Sequence, residues 1–189
     1  MSCTEEPRSY LCQVLRLTAE FLGERKLLAQ VVAKVSPEAQ RALQKPPFLF
    51  SWIPAAVLDE IFDALFALPK GSETCAELGH FAARNLSGSL IAPVLQMALG
   101  LFGATPASVF ANLDRFFAIA TRGTGFEYEP FSSTEGVVRY RVTGDAPDAM
   151  LHVTRGNLRQ VFELCQTPGE VDPPERLSRG EARFRVRWG

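Results

Sequence analysis

At residues 123–125, Gly-Thr-Gly, the spacing of apolar side chains changes from about 3.6 to about 2, and that change constrains the fold more than any other feature of the chain. Upstream, Thr105-Pro106 offers an N-cap followed by a first-turn proline, and Val109, Phe110, Leu113, Phe116, Phe117 and Ala120 recur as the inner face of one helix over residues 105–121. Downstream, Phe126, Tyr128 and Pro130 alternate with Glu127 and Glu129, and Val138, Tyr140 and Val142 alternate with Arg139 and Arg141. Two half-buried strands are predicted there, joined by the hairpin loop SSTEG. A single domain over 1–189 is expected, with residues 1–122 mainly helical and residues 123–189 bearing the strands.

The first part carries repeated helix signals. Over residues 9–35, Tyr10, Val14, Leu17, Phe21, Leu27, Leu28, Val31 and Val32 form an amphipathic face that Gly23 divides into two helices. Ser36-Pro37-Glu38 starts a short helix that must stop before Pro46-Pro47. PPFLFSWIP reads as a rigid aromatic connector that plugs the core. Pro54 opens a helix whose Val57, Leu58, Ile61, Phe62, Leu65 and Phe66 face inward while Asp59, Glu60 and Asp63 face out. In the next helix Cys75, Leu78, Gly79, Ala82 and Leu86 share a face with enough small residues for another helix to approach closely. Residues 91–102 predict a strongly apolar helix with Pro93 in its first turn.

Beyond the hairpin, GDAPD is a loop, with His152 still ahead of a helix that carries Leu158, Val161, Phe162 and Cys165 on one face. Pro173-Pro174 confines the strand near residues 170–177 to a sheet edge. The chain closes in EARFRVRWG, where Phe184, Val186 and Trp188 alternate with Arg183, Arg185 and Arg187. The expected class is α+β: an N-terminal helical bundle packed on a small C-terminal antiparallel sheet in β-β-α-β-β order.

With 189 residues, 47% hydrophobic and 22% charged, the chain has enough apolar material for a sizeable core. A net charge of −1 excludes a global pull toward nucleic acid or an anionic membrane. The C-terminal arginines read as a solvated strand face, the other reading being a patch for an acidic protein or nucleic acid, without the interleaved exposed aromatics that single-strand binding would favour. Cys3, Cys12, Cys75 and Cys165 are widely spaced, as reduced thiols of a cytoplasmic protein are. The sequence MSCTEEPRSY is not a secretory signal, and no apolar run is long enough to integrate into a membrane. His80 has no Cys, Asp or second His one helical turn away, and neither it nor His152 pairs with a nucleophile, so no metal site and no catalytic constellation emerges. Cys75 reads as a small buried side chain, with a reactive or acylated thiol as the alternative.

Four pieces, AELGHFAARNL, GATPASVFANLDRFF, GFEYEPF and SRGEARFRVRW, in this order and spacing, resemble the superfamily of heme nitric oxide/oxygen sensor domains, vinyl-reductase-like ligand-binding domains and Bet3-type subunits of the TRAPP tethering complex. Within it, the chain is most similar to a paralogous myxobacterial family of unknown function. The resemblance implies an interior place where relatives hold heme, aromatic effectors or acyl chains. It also implies that Phe117 stands where heme sensors carry their iron-ligating histidine. Their Tyr-x-Ser-x-Arg propionate grip is reduced here to Tyr140. The cysteine acylated in Bet3-type subunits does not coincide with Cys75.

These readings converge on a non-enzymatic binding or sensor domain without heme or another cofactor. Its apolar pocket for a small hydrophobic ligand is expected among Met97, Phe110, Leu113, Phe116, Phe117 and Tyr140. The alternative is a TRAPP-like interaction module with a filled core, homodimeric through the apolar helix surface of residues 10–66.

Overall fold

A computed structural model describes residues 7–87 and 105–189. The class is α+β with antiparallel sheets. The first part runs β1 (Ser9–Leu11), α1 (Cys12–Glu24), α2 (Leu28–Val32), α3 (Pro37–Gln44), β2 (Trp52–Pro54), α4 (Ala55–Phe66) and α5 (Gly71–Ser87). The second runs α6 (Pro106–Phe110), α7 (Leu113–Phe117), β3 (Thr121–Arg122), β4 (Thr124–Pro130), β5 (Glu135–Val142), α8 (Asp148–Leu164), β6 (Gly169–Val171), β7 (Glu175–Ser178) and β8 (Glu181–Trp188). The apolar helix expected over residues 91–102 lies outside the described residues.

The main sheet has the order β4-β5-β8-β6, and β7 takes the other stretch of the β8 edge that β6 leaves. The strand expected near residues 170–177 is thus two, separated by Pro173-Pro174, which cannot complete a ladder. Val138 opposite Phe184 and Tyr140 opposite Ala182 put the inner faces of β5 and β8 in the core. The outer arginines meet carboxylates across the strands: Arg183 with Glu175 at 2.7 Å, Arg187 with Glu170 and Asp172 at 2.8 Å, and Arg185 with Glu135. That pairing cancels the positive surplus and makes the face a solvated one.

A second sheet, β2-β1-β3, corrects the expectation of helix from residue 9. Tyr10 pairs with Ile53 on one side and Thr121 on the other, so two distant segments satisfy the backbone groups that a helical turn would otherwise use. The same pairing corrects the aromatic plug. Ile53 is buried, but Phe48 and Phe50 are 69% and 55% exposed and contact each other edge to face. They lie beyond the strand, in a turn where the Ser51 N–H donates to the Phe48 carbonyl.

Local chemistry explains the helix boundaries. The Ser36 hydroxyl accepts from the Ala39 N–H and caps α3. Thr105 and Ser108 form a reciprocal capping box at the start of α6. The helix expected over 105–121 is broken between α6 and α7, where the Asn112 amide donates to the Ser108 carbonyl and competes with the helical ladder. α8 begins at Asp148, so His152 is helical rather than in a loop ahead of the helix. An acidic residue in that first turn complements the helix dipole.

α5 and α8 touch backbone to backbone. A Cβ added at Gly79 would lie 1.9 Å from the Val153 carbonyl oxygen, and one added at Gly156 would lie 1.9 Å from that of Ala76. Each helix therefore carries a glycine where the other's main chain passes. Gly156→Ala is expected to lower stability by roughly 2 kcal/mol or more, because overpacking outweighs the better helix propensity of alanine. Gly23→Ala, at a helical position with nothing within 4 Å of the new methyl, should be neutral or stabilising by up to about 1 kcal/mol. Urea unfolding of the two variants checks the contrast.

Candidate functional site

Between α5, α7, α8 and β5 lies a cavity of about 150 Å³ with almost wholly apolar walls. α5 contributes Leu78, Ala82 and Leu86, and α7 contributes Leu113, Phe116 and Phe117. α8 supplies Met150, Val153, Thr154, Asn157, Gln160, Val161 and Leu164 at helical spacing, while Tyr140 and Tyr10 come from the two sheets. The volume equals that of an engineered protein cavity which stays dry and takes benzene or xenon, and is below the roughly 300–1,000 Å³ of pockets for drug-sized ligands. One ring is therefore the scale of guest that it suits.

Of the pocket residues expected from sequence, the structure brings Leu113, Phe116, Phe117 and Tyr140 together on this wall. Phe117 and Tyr140 both pack at a tilt against Phe126, at 4.3 and 5.1 Å between ring centres. Phe110 is not among the lining residues; it packs 5.7 Å from Tyr128, 5.7 Å from Phe162 and 5.8 Å from Trp188, while its neighbour Val109 lines the cavity. Met97 lies outside the described residues. The α8 residues and Tyr10 were missed. Their signal was present in the three- and four-residue spacing of Met150, Val153, Thr154, Asn157, Gln160, Val161 and Leu164.

Behind the two tyrosines sits a buried ion pair between Arg8 and Asp59, whose side chains are 10% and 14% exposed. Asp59 was expected to face solvent. It does not, because the Arg8 carbonyl accepts the Ala55 N–H and thereby fixes the guanidinium over the first turns of α4. Asp59 Oδ1 and Arg8 Nη1 keep no further partner. Burial pushes the Asp59 carboxyl up to about 6, although Arg8 pulls the other way. Burial likewise raises the Tyr10 and Tyr140 hydroxyls, which stay neutral phenols. Tyr10 donates to Met150 Sδ at 3.1 Å, and Tyr140 interacts with Arg8 and Thr154.

The other residues singled out from sequence stand apart from the cavity. Cys75 is fully buried and burial pushes its thiol up to about 12, which leaves it unreactive as a nucleophile. His80 Nε2 lies 3.1 Å from Glu163 across the α5–α8 contact. His152 stacks on Phe66 at 5.4 Å between ring centres, and burial lowers its pKa. Among the described residues no three His, Cys, Asp or Glu side chains gather as a metal site, and no helix is long and apolar enough to cross a membrane.

No family model matches the chain, and no curated protein matches it. Solved structures do. An unliganded Fe(II) H-NOX protein from K. algicida superposes with a TM-score of 0.71 at 10% identity, covering 93% of this chain and 95% of that one. An H-NOX protein from S. oneidensis in the Fe(II)NO ligation state gives 0.67 at 8% identity over 94% and 98%. An oxygen-binding H-NOX domain related to soluble guanylate cyclases gives 0.58 at 10% over 91% of each chain. The chain thus has the fold of the heme nitric oxide/oxygen sensor superfamily.

The residues of this cavity do not fit heme. Both histidines of the chain lie elsewhere, and no described thiol lines the cavity. The Met150 thioether accepts Tyr10, the tyrosines are un-ionised, and the space suits one ring rather than a macrocycle.

The raised Asp59 pKa sets a pH dependence. The unfolded carboxyl titrates near about 3.9, so on acidification the folded protein takes up this proton first. The contribution is fully present below about pH 4 and lost as pH rises through about 6. From about pH 7 to about pH 4, the stability difference between wild type and Asp59→Asn in urea unfolding should shift toward wild type by up to roughly 3 kcal/mol. A shift in the opposite sense would show that Arg8, not burial, governs the carboxyl.

Proposed function

We propose that this domain is a non-enzymatic binding or sensor module whose apolar cavity takes a small hydrophobic ligand, and not heme. The observation that carries the reading is the cavity itself, with Leu113, Phe116, Phe117 and Tyr140 on its wall in a fold shared with an oxygen-binding H-NOX domain and an H-NOX protein in the Fe(II)NO ligation state. A fully packed core at this place would have favoured the alternative scaffold. That alternative also draws on surplus apolar surface over residues 10–66. Among those residues, Phe48 and Phe50 are the large apolar side chains left exposed.

An aromatic ring of this size buries about 150–250 Å². At roughly 25 cal/mol per Å² that is worth about 5 kcal/mol before the cost of immobilising the guest is subtracted. Toluene is therefore expected to bind no more tightly than a Kd on the order of 1 mM. Saturable amide shifts in an NMR titration should map to α5, α7 and α8. Ala82→Leu, which places three further carbons on the cavity wall, should abolish them while leaving Tm unchanged or raised. Toluene shifts that stay linear to its solubility limit in wild type would remove the proposal.

A further inference from the structure

The cavity wall is not uniformly apolar, and most of its described polar side chains find partners within the protein. Thr18 donates to the Val14 carbonyl, Thr121 to the Phe117 carbonyl, Tyr10 to Met150, and Tyr140 and Thr154 interact with each other. Asn157 is only partly buried. Gln160 is different: its side chain lines the cavity, the residue is 6% exposed, and its Oε1 has no hydrogen-bond partner. A buried amide carbonyl without a donor is costly, and such groups in native proteins are almost always satisfied. A water there would need roughly two to four polar partners, and Thr18, Thr121 and Thr154 already spend their hydroxyls elsewhere.

We infer that the ligand of this cavity is a small apolar molecule bearing one N–H or O–H donor, and that Gln160 Oε1 is the acceptor which orients it. This inference rests on the binding reading above and adds the chemical class to it. An amide carbonyl rather than a carboxylate selects a neutral donor, because a cationic one would lose its hydration in this apolar shell with no counter-charge to replace it. The apolar walls supply affinity and the single acceptor supplies discrimination, the usual division of labour in small-molecule sites.

Aniline and toluene differ by an amino group in place of a methyl group and are close in shape. Their dissociation constants, measured by NMR titration on wild type and on Gln160→Leu, isolate the contact as a ratio. The ratio of the aniline to the toluene Kd is expected to rise roughly threefold to tenfold in Gln160→Leu, the worth of one net hydrogen bond, with toluene binding retained. An unchanged ratio with toluene still bound by both proteins overturns the inference and leaves the cavity reading standing. Failure of wild type to bind either probe removes the cavity reading and the inference together. If Gln160→Leu does not fold, Gln160→Met keeps the side-chain length, removes the acceptor and reads the same ratio.

Discussion

Everything in this domain depends on how closely α5 and α8 can approach. Two glycines, Gly79 and Gly156, let each main chain lie against the other, where any side chain would meet a carbonyl oxygen. α8 is thereby held between the helical part and the sheet, with α4 and α5 on one side and β6 and β8 on the other. The same two helices line much of the cavity, so its width is a by-product of a contact made without side chains. Leu78, Ala82, Val153 and Gln160 face a space whose size the glycines set.

The small sheet β2-β1-β3 acts on the opposite side as a clasp. It joins the start of α4 to the segment that follows α7 and delivers Arg8 and Tyr10 beneath the cavity floor. An ion pair so little exposed is a poor source of stability, since desolvation offsets much of its attraction. Its raised carboxyl pKa follows from that balance. The tyrosines in front of it convert a charged layer into a neutral one, and this allows the remainder of the wall to be apolar.

Much of the architecture was legible from local chemistry. The change of period at residues 123–125, the Ser36 and Thr105 caps, and the small residues of α5 all act within a few residues of where they are read. What escaped depends on distant partners. Ser9–Leu11 becomes a strand because residues 52–54 and 121–122 reach it, and Asp59 turns inward because Arg8 is placed over it. Phe48 and Phe50 look like core by composition but stand exposed in the turn that precedes β2. At the cavity, the four wall residues foreseen on α7 and β5 follow from periodicity. Phe110 packs instead against Tyr128, Phe162 and Trp188, and Gln160 was passed over despite its spacing because a polar residue on an amphipathic helix is ordinarily read as solvent-facing.

The clasp also bears on the order in which the chain assembles. Tyr10 pairs with Thr121, so one ladder of β1 closes only when more than half of the chain lies between its two members. Local contacts such as those of α3 with α4, or the β4–β5 hairpin, close short loops and form early, whereas a pairing this remote closes late and slows folding. On a ribosome, which releases the N-terminus first, the β1–β3 pairing must wait for residues 121–122 to emerge. The floor of the cavity is therefore among the last parts of the domain to be completed, and the interior stays open until the N-terminal strand is seated.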